Sequence, residues 1–122
     1  MPFDDPVSAL RNIAEAIESI EQFTKGMDFE AFRNDLKTIA AVERKLLVIS
    51  EAAVRLKDDA ARLCPGPPWA EIRGMGNWLR HQYDRVDLET LWNTVQDDLP
   101  PLGASVRRAL TSPGTKGPIP ES

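Results

Sequence analysis

Several residue types are nearly missing from this chain of 122 residues, which holds one cysteine, one histidine and one tyrosine. A solitary Cys64 excludes an internal disulfide, and no second Cys or His stands near it at metal-ligand spacing. No apolar run approaches the ~20 residues that a bilayer-spanning helix requires. Positive charge is also short: 15 Lys and Arg against 19 Asp and Glu leave a formal net charge of −4. A general nucleic-acid binder is normally basic overall, so contact with RNA is left to a local basic patch. The opening Met1-Pro2-Phe3-Asp4-Asp5-Pro6 has no basic segment followed by an apolar one, so no signal peptide is expected. These shortages together describe a cytoplasmic, bacterial-type protein with one core and no structural metal or cofactor.

Strand-like alternation is absent too, whereas helical periodicity is plain in four stretches. Leu10, Ile13, Ala14, Ile17 and Ile20 form one apolar stripe, stopped by Gly26. Asp28 is placed to cap a short helical turn holding Phe29 and Phe32, with Glu30 in its favourable first turn. A long seam then runs through Leu36, Ile39, Val42, Leu46, Ile49, Ala53, Leu56, Ala60 and Leu63, which predicts one continuous helix up to Pro65-Gly66-Pro67-Pro68. A third helix, with Pro68 in its first turn, presents Trp69, Ile72, Met75 and Leu79 on one face. Asp87 caps a fourth, with Leu88, Leu91, Trp92, Val95, Leu99, Leu102 and Val106 in its stripe. Pro100-Pro101 must kink or restart that helix, with Asp97 or Asp98 available as the new cap. From Thr111 onward the composition reads as a disordered tail. The fold expected is an all-α bundle of four to five helices.

Chemistry concentrates in Ile72-Arg73-Gly74-Met75-Gly76-Asn77-Trp78-Leu79-Arg80-His81-Gln82-Tyr83-Asp84. An imidazole exchanges protons near neutral pH, and guanidinium groups are natural phosphate ligands. With Ile49-Ser50-Glu51-Ala52, Pro68-Trp69-Ala70-Glu71-Ile72, Val86-Asp87-Leu88-Glu89-Thr90-Leu91-Trp92 and Asp97-Asp98-Leu99-Pro100-Pro101-Leu102, this stretch resembles the HepT-like branch of HEPN domains. The resemblance spans roughly residues 7 to 110. It makes residues 1–110 a HEPN/HepT-like helical domain and residues 111–122 the tail.

The resemblance implies a helical bundle that dimerises and sets two copies of an Arg-x4-6-His motif in a shared cleft. It implies a metal-independent ribonuclease toxin acting on tRNA or mRNA, held in check by a nucleotidyltransferase-fold antitoxin. In HepT-like members the motif reads Arg-x4-His-x-Tyr, and the antitoxin attaches AMP to the tyrosine. His81 matches the motif histidine, Tyr83 the modified tyrosine, and Asn77 the polar residue that follows the motif arginine. Five residues before His81, where the pattern has arginine, stands Gly76.

Cleavage without a metal needs a base for the ribose 2′-hydroxyl and cationic donors for the charge developing at phosphorus. At about 100° per residue, Arg80 lies roughly 40° round the helix from position 76, and Arg73 roughly 60°. Helical side chains lean toward the N-terminus, so Arg80 can reach back over the surface that glycine leaves bare. His81, Asn77 and Arg80 are therefore the catalytic candidates. The alternative is that Gly76 weakens or abolishes cleavage, leaving a binding module or an AMPylation substrate; a small-nucleotide-binding module is a third reading.

Plainer roles stand beside these. Tyr83 can simply pack its ring at a helix end. Arg73, Arg80 and Arg85 can form a solvated face. Asp58-Asp59 and Asp97-Asp98 read as helix caps, and Trp69, Trp78 and Trp92 as core or interface anchors. Glu51 interrupts an apolar seam and is expected to be partly buried, facing an arginine of the third helix. Gly74 and Gly76 suggest close backbone approach across a subunit interface.

Overall fold

A computed structural model describes residues 5–81 and 87–111, with only the main chain at His81. Among the described residues the regular structure is helical throughout: α1 (Pro6–Thr24), α2 (Phe29–Arg33), α3 (Leu36–Leu56), α4 (Asp59–Leu63), α5 (Trp69–His81), α6 (Leu88–Asn93) and α7 (Leu99–Leu110), with a π-helical turn at Thr94–Asp98 between the last two. This all-α architecture is the one expected. No helix among them is long and apolar enough to cross a membrane.

The centre of the bundle is the α1–α3 pair. α5 rests on α3 and α7 rests on α1, while α2 bridges α3 and α6. Leu10, Ile13, Ile17 and Ile20 of α1 and Val42, Leu46 and Ile49 of α3 are wholly buried, so each helix turns its three- and four-residue stripe inward. Phe32 is sealed in as well, with its ring 5.0 Å from that of Trp92. Trp69 is buried, and its indole N–H donates to the Cys64 carbonyl over 2.8 Å. That bond closes the proline-rich connection and fixes where α5 begins.

Capping follows the sequence at several ends. Asp5, Asp28, Asp35 and Asp87 each accept a main-chain N–H of the helix they precede, satisfying donors that a first turn leaves open. The aspartate pairs behave otherwise. Asp58 and Asp98 hold N-cap positions but accept no cap hydrogen bond, and Asp59 instead pairs with Arg62 at 2.7 Å.

One expected helix is broken, and another is interrupted at its prolines as expected. The seam from Leu36 to Leu63 is not one helix, because Lys57 turns left-handed at φ 51° between α3 and α4. Leu56 and Ala60 remain buried on either side of the break, so the apolar pattern runs on where the helix does not. Near the other end, Pro100 and Pro101 lack the N–H groups that the Gln96 and Asp97 carbonyls would normally receive. The chain widens there into the π turn, the Leu99 N–H reaching back to the Thr94 carbonyl. α7 then starts with its prolines in the first turn, where a missing donor is harmless.

α5 and the start of α7 stand apart across a groove of about 600 Å³, floored by Ile72, Met75, Trp78, Leu99 and Leu102. α5 therefore leans chiefly on α3, and α3 decides how the His81 end is held.

Candidate active site

Helix α5 meets α3 through one very close contact, at Gly76. The Gly76 N–H donates to the Ser50 hydroxyl over 2.8 Å, and the same hydroxyl donates to the Arg73 carbonyl over 2.9 Å. A Cβ at position 76 would lie 2.7 Å from Ser50 Oγ and 3.2 Å from Ser50 Cβ, closer than carbon and oxygen pack. The seat of a side chain at 76 is thus already taken. Glycine in place of the motif arginine is a condition of this helix contact, not a gap in the surface. The approach it permits lies within one chain, which corrects the expectation of a subunit contact there. Gly74, by contrast, faces open space.

The Arg80 guanidinium lies 3.6 Å from the carboxylate of Glu51 on α3. Glu51 does face an arginine, but at the surface: about half of each side chain is exposed, 49% for Glu51 and 52% for Arg80. A pair this wet contributes little stability, about 1 kcal/mol at most. What it supplies is direction, since it turns the positive group toward α3 beside the Ser50 contact. Asn77 is exposed on the same turn.

His81 is the last residue of α5, so its main chain follows Arg80 directly at the helix end. Its side chain, and with it Tyr83 and Arg85, lies outside the described residues. Arg73 contributes its carbonyl to Ser50, and its side chain is half-buried. About two turns before Ser50 on α3, Glu43 is half-buried and its carboxyl is pushed above the usual range by that burial. Cys64 is buried, and that burial pushes its thiol above the usual range. Among the described residues no three His, Cys, Asp or Glu side chains converge as a metal donor set.

The model for Ribonuclease HepT-like proteins matches residues 13–109 of the chain. The chain belongs to this family. Its sequence is 47% identical over 93 residues to a Thermococcus cleftensis protein named "Probable ribonuclease HepT", covering 76% of this chain and 84% of that one. A Methanocaldococcus jannaschii protein named "Putative RNase MJ1216" is 38% identical over 100 residues, 82% of this chain and 83% of its own. A Caldanaerobacter subterraneus protein named "Putative RNase TTE0752" is 31% identical over 105 residues, 86% and 94% of the two chains. No solved structure matches.

The HepT-like match covers α3 and α5 in full, so the Ser50–Gly76 contact lies inside the family domain. Ser50 escaped the sequence reading because a serine beside an apolar seam looks neutral. The available signal was a small hydroxyl residue on one helix together with a Gly-x-Gly on another.

Proposed function

We propose that this HepT-like chain is a metal-independent endoribonuclease, the toxin of a toxin–antitoxin pair, working in the cytoplasm as a homodimer whose two α5 ends share a cleft. The observation that carries the proposal is Arg80. It stands one residue from His81 and pairs with Glu51 at the surface, so a guanidinium follows α5 to the imidazole-bearing end of a ribonuclease-family helix. In the reaction, the His81 imidazole takes the proton of the ribose 2′-hydroxyl as the 2′-oxygen bonds to phosphorus. The bond from phosphorus to the 5′-oxygen breaks, and that oxygen leaves with a proton from imidazolium or water, giving a 2′,3′-cyclic phosphate and a free 5′-hydroxyl. Arg80 and Asn77 hold the phosphate oxygens while charge builds there.

The test is cleavage of tRNA and mRNA by the purified protein in EDTA. Cyclic-phosphate ends are expected from the wild type and none from His81→Ala. Intact RNA at micromolar wild-type protein rejects the nuclease.

Gly76 favours a second reading, in which catalysis has been lost and the fold serves as a binding partner or AMPylation substrate of a nucleotidyltransferase-fold antitoxin. The close Ser50 contact means that Gly76→Arg alone is a poor test. In this reading Ser50→Gly with Gly76→Arg switches on growth inhibition in a bacterial host while the native chain stays harmless; toxicity of the native chain rejects it. Under either reading Tyr83 is the AMP acceptor, and mass spectrometry after co-expression with a nucleotidyltransferase is expected to find AMP-sized additions on it.

A further inference from the structure

We infer that Ser50 is a positioning residue for the turn of α5 that presents Asn77, Arg80 and His81, an inference that rests on the ribonuclease reading above. Only two polar residues among the described ones are buried, Thr24 and Ser50. They use their hydroxyls differently. Thr24 donates to the Ile20 carbonyl one turn back in its own helix. Ser50 has 1% of its surface exposed and spends both of its bonds on the main chain of another helix, one given to the Arg73 carbonyl and one received from the Gly76 N–H.

Packing alone does not call for this pair. A serine in an apolar seam brings a polar group into the core, and a glycine inside a helix lowers helix stability relative to alanine. Each choice is locally unfavourable, and they make sense only together. Apolar side chains tolerate sliding and rotation of one helix against another. A hydroxyl held by two directional bonds, pressed against bare main chain at 2.7 Å from where a Cβ would be, fixes α5 in both height and rotation relative to α3. The fixed point is Gly76, five residues and about 7.5 Å of helix rise before His81. A rotation permitted there would be carried rigidly to the imidazole. It would also swing Arg80 away from Glu51, the next residue of α3 after Ser50. Misplacement by about 1 Å can cost on the order of a hundred-fold in rate.

The experiment compares Ser50→Ala with the wild type in the full-length chain. The chain has one histidine and one tyrosine, so each gives a single set of ring signals in the NMR spectrum. In Ser50→Ala the Gly76 amide is expected to exchange with solvent roughly ten-fold faster or more, while core amides such as that of Leu46 keep their protection. The His81 ring signals are expected to move, and kcat for RNA cleavage to fall about ten- to a hundred-fold with KM within about two-fold. Should Ser50→Ala not fold, Ser50→Cys, whose larger sulfur is a weaker donor and acceptor for the same two bonds, is expected to displace the Gly76 exchange and the His81 signals in the same way.

Unchanged Gly76 exchange and unchanged His81 signals overturn the inference, as does unaltered kcat in a variant whose ring signals have moved. A wild-type chain that cuts no RNA defeats the nuclease reading instead, and the NMR comparison then still decides whether Ser50 sets the pose of His81.

Discussion

Helix α3 has two working faces, and they are built on opposite principles. Toward α1 it offers Val42, Leu46 and Ile49, wholly buried aliphatic side chains that meet others of their kind. Toward α5 it offers a hydroxyl and a carboxylate, Ser50 against bare main chain and Glu51 against a guanidinium. The first face holds the bundle together through area removed from water, which is non-directional. The second also packs an aliphatic side chain, Leu47, against Gly76, and its hydrogen bonds add direction. The directional bonds are thus confined to one side of the helix, and substitutions should separate them from the packing.

The largest effect is expected on the aliphatic face. Leu46→Ala should lower unfolding stability by about 2–5 kcal/mol in urea titration, with RNA cleavage per folded molecule unchanged. Activity lost while stability holds would mean that the two faces have been assigned the wrong way round. Next comes Gly76→Arg, in which the new side chain collides with the Ser50 hydroxyl. Overpacking of this kind costs about 1–3 kcal/mol, and adding Ser50→Gly should return most of it in thermal melts. An equal cost with and without Ser50 would show that something else fills the seat.

Glu51→Gln should be smaller still, within about 1 kcal/mol in stability because the pair is half in water. Its mark is expected in binding. A carboxylate competing with phosphate for Arg80 is removed, so RNA should bind more tightly at low salt, and the gain should fade toward 1 M salt, where charges are screened beyond about 3 Å. No change in affinity at any ionic strength would remove Glu51 from the site.

The gentlest test is acid. Hydrogen bonds from Thr38 hold the Asp35 carboxyl below its ordinary 3.8, and the Thr90 hydroxyl with the Glu89 N–H does the same for Asp87. Both values are depressed by folding, so this capping stability is complete above pH 3.8 and drains as pH falls through the lower folded values. Glu43 runs the other way: burial raises its carboxyl above 4.5, and the associated stability fades as pH rises past that point. Asp35→Asn should therefore flatten the loss of melting temperature on acidification, and a profile parallel to the wild type below pH 3.8 would count against the cap.

The aliphatic face was also the legible one. Leu10 to Ile20 and Val42 to Ile49 announce their helices by spacing alone, and Asp28 and Asp87 mark helix starts by the chemistry of their carboxylates. Periodicity reports which side of a segment is apolar and not whether the backbone is continuous. For that reason Leu56, Ala60 and Leu63 read as one helix although Lys57 breaks it. The π turn at Thr94–Asp98 left only its cause in view, the two prolines. On the directional face Arg80 and its acidic neighbour could be anticipated from helical geometry, because long side chains reach predictably. Ser50 could not, since its meaning depends on a glycine 26 residues away, and neither residue is unusual until the two helices are brought together.

The groove between α5 and α7 has a consequence for how motion reaches the imidazole. A helix bound along one edge and open along the other resembles a page on its spine: it has one easy way to swing and one line about which it does so. Anything lodged in the open side would press on the page, while the hinge line, running past a single hydroxyl, would set how far the far corner travels.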